Sequence, residues 1–202
     1  MTESFRFEPF LWIHFAGLIT LPIWFGLFAV GFAIGTPLLP FWLELGLVAT
    51  VGIAPILWMQ LYRPFYIFSI LLVAVKPNTL TLVQRRILSC FRTKLNQTLS
   101  LVTTVLLIIL LSQVNRVNVW VSHVAGIFPQ WHGMGLLLAT MGCLGCSLFC
   151  LIPSSVMGVL LTKRDDFIQT SPLGESEIRH WFSIFGWQVE QILPISSSNT
   201  SG

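Results

Sequence analysis

Charged residues are scarce in this chain. Asp, Glu, Lys and Arg make up 9% of its 202 residues, against about 25% in ordinary soluble proteins. Apolar residues make up 54%, and the mean hydropathy is +0.80. The composition therefore excludes an ordinary soluble globular protein, and the length leaves room for one domain and a short tail. The net charge of +3 says little as a total, and no nucleic-acid partner is expected.

The chain also lacks the short motifs of common enzymes. There is no P-loop, no G-x-S-x-G, no H-E-x-x-H and no Rossmann glycine pattern. No pair of charged residues falls near the middle of an apolar stretch, where transporters and pumps place their ion-handling groups. We therefore expect no catalysis, and the sequence gives little support to a pump.

Metal-binding patterns are incomplete. Cys143, Cys146 and Cys150 follow C-x2-C-x3-C spacing, part of an iron–sulfur run, but a fourth ligand is missing. Small residues surround them, which favours a face for close helix packing. His123 and His132 flank the third link without an Asp or Glu beside them, so we expect no metal site there. Four cysteines placed in this way do not indicate a disulfide framework.

Four long apolar stretches dominate the sequence, at about 10–34, 41–61, 97–114 and 133–161. Each is close to the ~17–25 residues that cross the hydrocarbon core of a bilayer as a helix. A helix satisfies its backbone hydrogen bonds internally and exposes only hydrocarbon to lipid. The sequence therefore predicts an all-α integral membrane protein with four transmembrane helices.

Basic residues lie almost entirely on one side of these four stretches. The first link, 35–40, has none, and the third link, about 112–132, has only Arg116. The others lie in the N-terminus, in the middle link and after the fourth stretch: Arg6, Arg63, Lys76, Arg85, Arg86, Arg92, Lys94, Lys163, Arg164 and Arg179. The positive-inside rule predicts that both termini and the middle link are cytosolic.

The middle link, between the second and third stretches, contains two candidate interfacial helices. Residues 64–76 are mostly apolar but too short to span, and residues 81–93 carry basic residues at helical spacing. Arg85, Arg86 and Arg92 would contact an anionic lipid surface. The alternative is that they only mark the cytosolic side and bind nothing.

The tail, 165–202, differs in character from the membrane domain, 1–164. Residues 176–192 approximate an amphipathic helix, and residues 196–202 are Ser-rich and expected to be disordered. Four aromatic residues are the expected contacts with a partner protein or with lipid: Trp181, Phe182, Phe185 and Trp187. Because exposed aromatic residues favour aggregation, something should cover them.

One histidine and one carboxylate fall inside the apolar stretches, near their ends. His14 is a candidate ligand of a chlorophyll magnesium or a hydrogen-bond partner of another helix. The alternative is an interfacial histidine that faces lipid headgroups. Glu44 lies at the start of the second stretch, where a carboxylate at the boundary costs little, and a proton relay there is the alternative.

Three segments in the first half of the chain are distinctive: 5–14, 52–60 and 63–69. Together they resemble the low-complexity tail membrane proteins, a cyanobacterial family, closely over about residues 5–95 and loosely over the rest. The resemblance implies a photosynthetic host and a thylakoid or plasma membrane. It implies no activity, because it carries no catalytic or binding residues over to this chain.

The function expected from these observations is that of an accessory, assembly or scaffold protein. It would bind other integral membrane proteins, such as a photosystem or its assembly intermediates, through the first and fourth stretches and the cytosolic segments. The alternative is a small transporter or channel subunit, with a path lined by Glu44 or His14. No cofactor is expected, and chlorophyll is the alternative.

Overall fold

The computed structural model of the protein describes residues 5–70, 72–114 and 130–192. Within them, four helices are long and apolar enough to cross a membrane: Pro9–Ala33 (span one), Phe41–Tyr62 (span two), Lys94–Ser112 (span three) and His132–Leu160 (span four). These helices confirm the four spanning stretches predicted from the sequence. Most of the third link, with His123, and the predicted disordered segment 196–202 lie outside the described residues.

Span four forms the centre of the bundle and contacts the other three spans. Its buried face carries small residues, including Gly142 and Cys143. A Cβ added at Gly142 would lie 2.7 Å from the Cα of Phe28 in span one, so glycine is needed for these two helices to touch along their backbones. The small-residue face predicted from the sequence is therefore used inside the chain, between spans one and four.

Span one is not a uniform α-helix. The α-helices Pro9–Ala16 and Leu21–Ala33 are joined by a 3-10 turn at Gly17–Thr20. Pro22 explains the break, since it has no backbone N–H and its ring clashes with the carbonyl group four residues earlier, that of Leu18. The Leu18 carbonyl oxygen instead accepts a hydrogen bond from the backbone N–H of Leu21, three residues later, which is the spacing of a 3-10 helix.

The segments at one end of the bundle fold together into a compact unit, which we call the cap. It consists of the N-terminal turn Phe5–Phe7, the middle link 63–93 and the tail 161–192, and Tyr66 and Phe182 are fully buried in its core. Its short helices are Leu82–Cys90, Arg164–Gln169 and Glu175–Trp181, with a 3-10 turn at Pro77–Thr79. The N-terminus, the middle link and the tail therefore share one end of the bundle, as four crossings require.

A three-stranded sheet joins the middle link to the tail. Strand β1 (Ser69–Ile70) pairs antiparallel with β2 (Val73–Val75), and β2 pairs in parallel with β3 (Trp187–Val189). Because β2 lies between the other two, the tail adds an outer strand to a hairpin of the middle link. Two segments that are far apart in the sequence therefore depend on each other for their backbone hydrogen bonds.

The prediction of an interfacial helix at 64–76 is wrong. The structure has the β1–β2 hairpin there, and Tyr66, Ile67 and Phe68 are fully buried in the cap. Aromatic and β-branched residues dominate this segment, and such side chains favour a strand when a partner strand is present. Strands β1 and β2 pair with each other, and β2 has a second partner in β3, which no local pattern in the middle link could reveal.

The prediction of one helix over 176–192 is also wrong beyond its first turns. The helix Glu175–Trp181 is followed by Gly186 with a φ of +90°, a conformation that residues with a side chain rarely adopt. A Cβ there would also collide with the Leu72 carbonyl oxygen. Gly186 therefore turns the chain into β3 beside the hairpin, and the helix does not continue.

The second helix predicted in the middle link is present as Leu82–Cys90. Thr81 and Gln84 form a capping box at its start. The backbone N–H of Gln84 donates to the Thr81 hydroxyl oxygen at 3.3 Å, and the backbone N–H of Thr81 donates to the Gln84 side-chain oxygen at 3.0 Å. Its apolar residues Ile87 and Leu88 are fully buried in the cap. This side of the helix therefore packs on protein and does not lie on lipid.

Candidate functional site

A buried acid–base pair joins spans two and four at the end of the bundle away from the cap. The Glu44 Oε1 atom lies 2.8 Å from the His132 Nε2 atom, and the two side chains are 2% and 4% exposed. The same carboxylate oxygen accepts hydrogen bonds from the backbone N–H groups of Leu38 and Leu39, at 3.0 Å each. The His132 Nδ1 atom lies 3.0 Å from the Ile34 carbonyl oxygen. One carboxylate therefore ties the first link to both spans.

Polar partners surround both side chains of this pair. Both ring nitrogens of His132 face oxygen atoms, one of Glu44 and one of the Ile34 backbone. The carboxylate of Glu44 in turn contacts the imidazole and accepts two backbone hydrogen bonds, which compensates its burial. We therefore describe Glu44 and His132 as an ionic clamp.

Sequence reasoning weighed Glu44 and His132 separately and missed their contact. It found no acidic residue beside His132, because Glu44 is 88 positions away. Their positions at the starts of spans two and four, which enter from the same side, were the available signal. Gly35 lets the first link close over the histidine: its φ is +79°, and a Cβ there would lie 2.8 Å from the His132 Cβ.

His14 lies at the opposite end of the bundle, beside the cap. Its Nδ1 atom is 2.8 Å from the Phe10 carbonyl oxygen, and its ring also has a hydrogen-bond contact with the Ser69 backbone. The ring centroids of His14 and Phe65 are 5.6 Å apart. A magnesium ligand needs one free ring nitrogen, so a chlorophyll would have to displace one of these contacts. Pigment ligation by His14 stays a prediction.

Three of the four cysteines are buried, and Cys150 is partly exposed. Cys143 and Cys146 are fully buried in span four, and Cys143 fills the space beside Gly52 of span two. Among the residues that the structure describes, no three His, Cys, Asp or Glu side chains gather as metal ligands. In the cap, burial raises the pKa of the Cys90 thiol to about 11, so it is not a reactive nucleophile. The packing role of the span-four cysteines stays a prediction.

The three arginines predicted to contact lipid make contacts within the cap or are half-buried in it. Arg85 donates to two carbonyl oxygens of the turn Pro77–Thr79, at 3.4 Å each. The guanidinium carbon of Arg92 lies 3.8 Å from the ring centroid of Trp181, a cation–π contact between the middle link and the tail. Arg86 is half-buried on the same helix as Arg85. Lipid binding by these arginines stays a prediction.

The four aromatic residues of the tail divide into two pairs. Phe182 is fully buried with its ring edge-on to Tyr66, and Trp181 is half-buried beneath Arg92. Phe185 and Trp187 remain 53% and 78% exposed. The chain itself therefore covers the first pair, whereas the second pair, which we call the aromatic edge, is open at the margin of the sheet.

Arg63 joins the middle link to the tail, and the Tyr66 hydroxyl closes the middle link on itself; sequence reasoning predicted neither contact. Arg63 donates to the carbonyl oxygens of Arg179 and Phe182, at 3.2 Å and 3.3 Å. The Tyr66 hydroxyl donates to the Val75 carbonyl oxygen at 3.0 Å. Burial raises the pKa of the Tyr66 phenol, so it remains a neutral donor.

Four long apolar helices in a chain with so few charges define a polytopic membrane protein. The profile of the low-complexity tail membrane protein-like family matches residues 7–194, and the chain belongs to that family. This match confirms the resemblance and covers nearly the whole chain. No curated protein and no solved structure matches it.

Proposed function

We propose that this membrane protein is an accessory, assembly or scaffold factor that holds other integral membrane proteins through its cap. The observation that carries the proposal is the aromatic edge, Phe185 and Trp187, exposed on an otherwise folded cap. Exposed large aromatic residues are an aggregation liability unless something covers them, and aromatic anchors dominate many protein interfaces. The protein therefore acts by binding, and we propose no catalysis.

Strand β3 adds a second means of recognition. In the described part of the chain it is an outer strand of the sheet, flanked by β2 on one side. An extended segment of a partner could add to its other side. Trp187 is the first residue of this strand, so backbone pairing and an aromatic anchor would act at the same place.

Spans one and four are less suited to binding a partner than the sequence suggested. Their small-residue faces pack on each other, and glycines such as Gly142 are occupied by that contact. The outward side of span one carries large side chains typical of lipid contact, including Ile19 and Ile23, which are 79% and 72% exposed. The cap is therefore the better docking surface.

We place the cap and both termini on the cytosolic side of a thylakoid or plasma membrane of a photosynthetic bacterium. Lys and Arg concentrate in the segments that form the cap, which supports this orientation. The resemblance to a cyanobacterial family supports a photosynthetic host. The partner that we propose is a photosystem or one of its assembly intermediates.

The ionic clamp favours a second candidate, a small transporter or channel subunit that moves protons. The only Asp, Glu, Lys or Arg residues in the four spans are Glu44 and Lys94, at opposite ends of the bundle. Proton pathways use chains of ionisable groups, whereas the other buried polar side chains of the spans, apart from His132, are Gln, Asn, Ser and Thr. Glu44 is also held by the backbone of the first link. The scaffold function is therefore the better supported of the two.

The double variant Phe185→Ala, Trp187→Ala is expected to shift the native complex to a smaller size and to leave the four spans inserted. Both side chains lie outside the cap core, so their loss removes the docking anchors and not the fold. Tagged full-length protein is solubilised gently from its host membrane, separated under native conditions, and its bands are identified by mass spectrometry.

The double variant Trp42→Ala, Trp58→Ala is the matched control, because it removes two aromatic side chains of similar exposure, 69% and 65%, from span two. It should leave the complex unchanged. If the cap variant also leaves the complex unchanged, lipid and not a protein covers the aromatic edge, and the proposed docking role is wrong.

A further inference from the structure

A cavity of about 410 Å³ lies where the cap meets spans one and four. Its main walls come from three parts of the fold: Ile13 and His14 of span one, Phe149 and Ile152 of span four, and Ile70 and Leu72 of the hairpin. Ile13 and Leu72 are 40% and 67% exposed, so the cavity is open between the cap and the spans. Its volume falls within the range of small-molecule sites, about 300–1,000 Å³.

Two residues that perturb helices border this cavity, one in each span. Span one changes from α-helix to 3-10 turn at Gly17, and span four contains Pro153, a residue that interrupts helical hydrogen bonding. Both residues line the cavity. Two of the three walls of the cavity are therefore spanning helices.

The lining of the cavity is apolar. His14 is the one polar side chain among the lining residues, and the backbone of Phe10 and of Ser69 already engages its ring. A water molecule needs about two to four polar partners to settle in a cavity, and this lining does not supply them. An empty cavity would forfeit dispersion contacts all around its wall, so an apolar ligand is the favoured occupant.

We propose that the cavity binds one acyl chain of a bilayer lipid. Ile13 and His14 lie in the first two turns of a spanning helix, at the level where the hydrocarbon of a leaflet begins, so acyl chains reach the opening from the side. Leu72 bounds the cavity from the hairpin. A bound chain therefore joins the cap to the bundle, and its headgroup stays in the interfacial layer outside.

The test uses the full-length protein in phosphatidylcholine vesicles that contain a phosphatidylcholine with a photoreactive group in its acyl chain. After illumination, mass spectrometry should find adducts concentrated on residues 148–153 and 65–70. Ile13→Trp should abolish these adducts, because the larger side chain fills the cavity from span one. Leu148→Trp fills the cavity from span four and should have the same effect. Agreement between the two variants would show that the loss of adducts does not come from a folding defect of one of them.

Ile19→Trp is the matched control, since Ile19 lies on the same span, is 79% exposed and does not line the cavity. It should leave the cavity adducts unchanged. Adducts that are no more frequent at the cavity than on the outward residues of span three, such as Leu106, would overturn the proposal. A pigment absorption band that copurifies with the wild type and disappears in Ile13→Trp would overturn it as well, because the occupant would then be a pigment.

Discussion

Replacing Glu44 by alanine is expected to destabilise the folded bundle by about 3–5 kcal/mol, because removing one partner of a buried acid–base pair leaves the groups around it unsatisfied. His132 would lose its carboxylate, and Leu38 and Leu39 would lose the acceptor of their N–H groups. His132→Ala should have an effect of similar size. Thermal unfolding of the purified full-length protein in nanodiscs measures both.

An exposed ion pair in the cap supplies the matched control for this experiment. The Glu175 and Arg179 side chains are 3.0 Å apart and 44% and 52% exposed, so Glu175→Ala should cost no more than about 1 kcal/mol. The double variant Glu44→Leu, His132→Leu should lose less stability than the two alanine variants together, since no unpaired charge remains. Equal effects of Glu44→Ala and Glu175→Ala would show that the ionic clamp does not hold this end of the bundle.

Replacing Gly142 by leucine is expected to cost more than about 3 kcal/mol, above the usual penalty of overpacking, because the new side chain meets backbone. Its Cβ would lie 2.7 Å from the Phe28 Cα and 2.8 Å from the Trp24 carbonyl oxygen. Spans one and four would have to separate along most of their contact. Thermal unfolding and the yield of folded protein in membranes are the measurements.

Gly133→Leu is the control for the Gly142 variant. It makes the same chemical change on the same helix, at a position where nothing lies within 4 Å of an added Cβ. It should leave stability and yield close to the wild type. Comparable losses for the two variants would mean that any leucine in span four is harmful, and the close contact between spans one and four would not be the cause.

The four spans could be predicted from the sequence because length and apolarity alone decide whether a helix crosses a bilayer. Such a helix satisfies its own backbone, so no knowledge of its neighbours is needed. The small-residue face of span four was predictable for a related reason, since glycines such as Gly142 have few other uses in an apolar helix. The sequence did not reveal that this face of span four packs on span one of the same chain.

The cap could not be predicted because its elements depend on contacts between distant residues. Residues 64–76 have the composition of either a short buried helix or a strand, and only the approach of β3 decides between them. The sequence of the tail likewise has the periodicity of a helix, but the helix ends at Trp181, and Gly186 then turns the chain with a positive φ. The ionic clamp could not be predicted for the same reason, because a contact between residues 88 positions apart leaves no local pattern in the sequence.

Disulfide crosslinking between β2 and β3 tests the central claim, that the middle link and the tail form one cap. Val73 and Trp187 are Cα partners in the parallel pair, and neighbouring strands lie about 4.8 Å apart, within reach of a disulfide. In membranes that contain the full-length double variant Val73→Cys, Trp187→Cys, mild oxidation should give this disulfide in most molecules, as found by mass spectrometry of the peptides. The pair Ile70→Cys, Trp187→Cys spans two strand spacings and should not crosslink. Equal yields from the two pairs, or none from either, would contradict the cap.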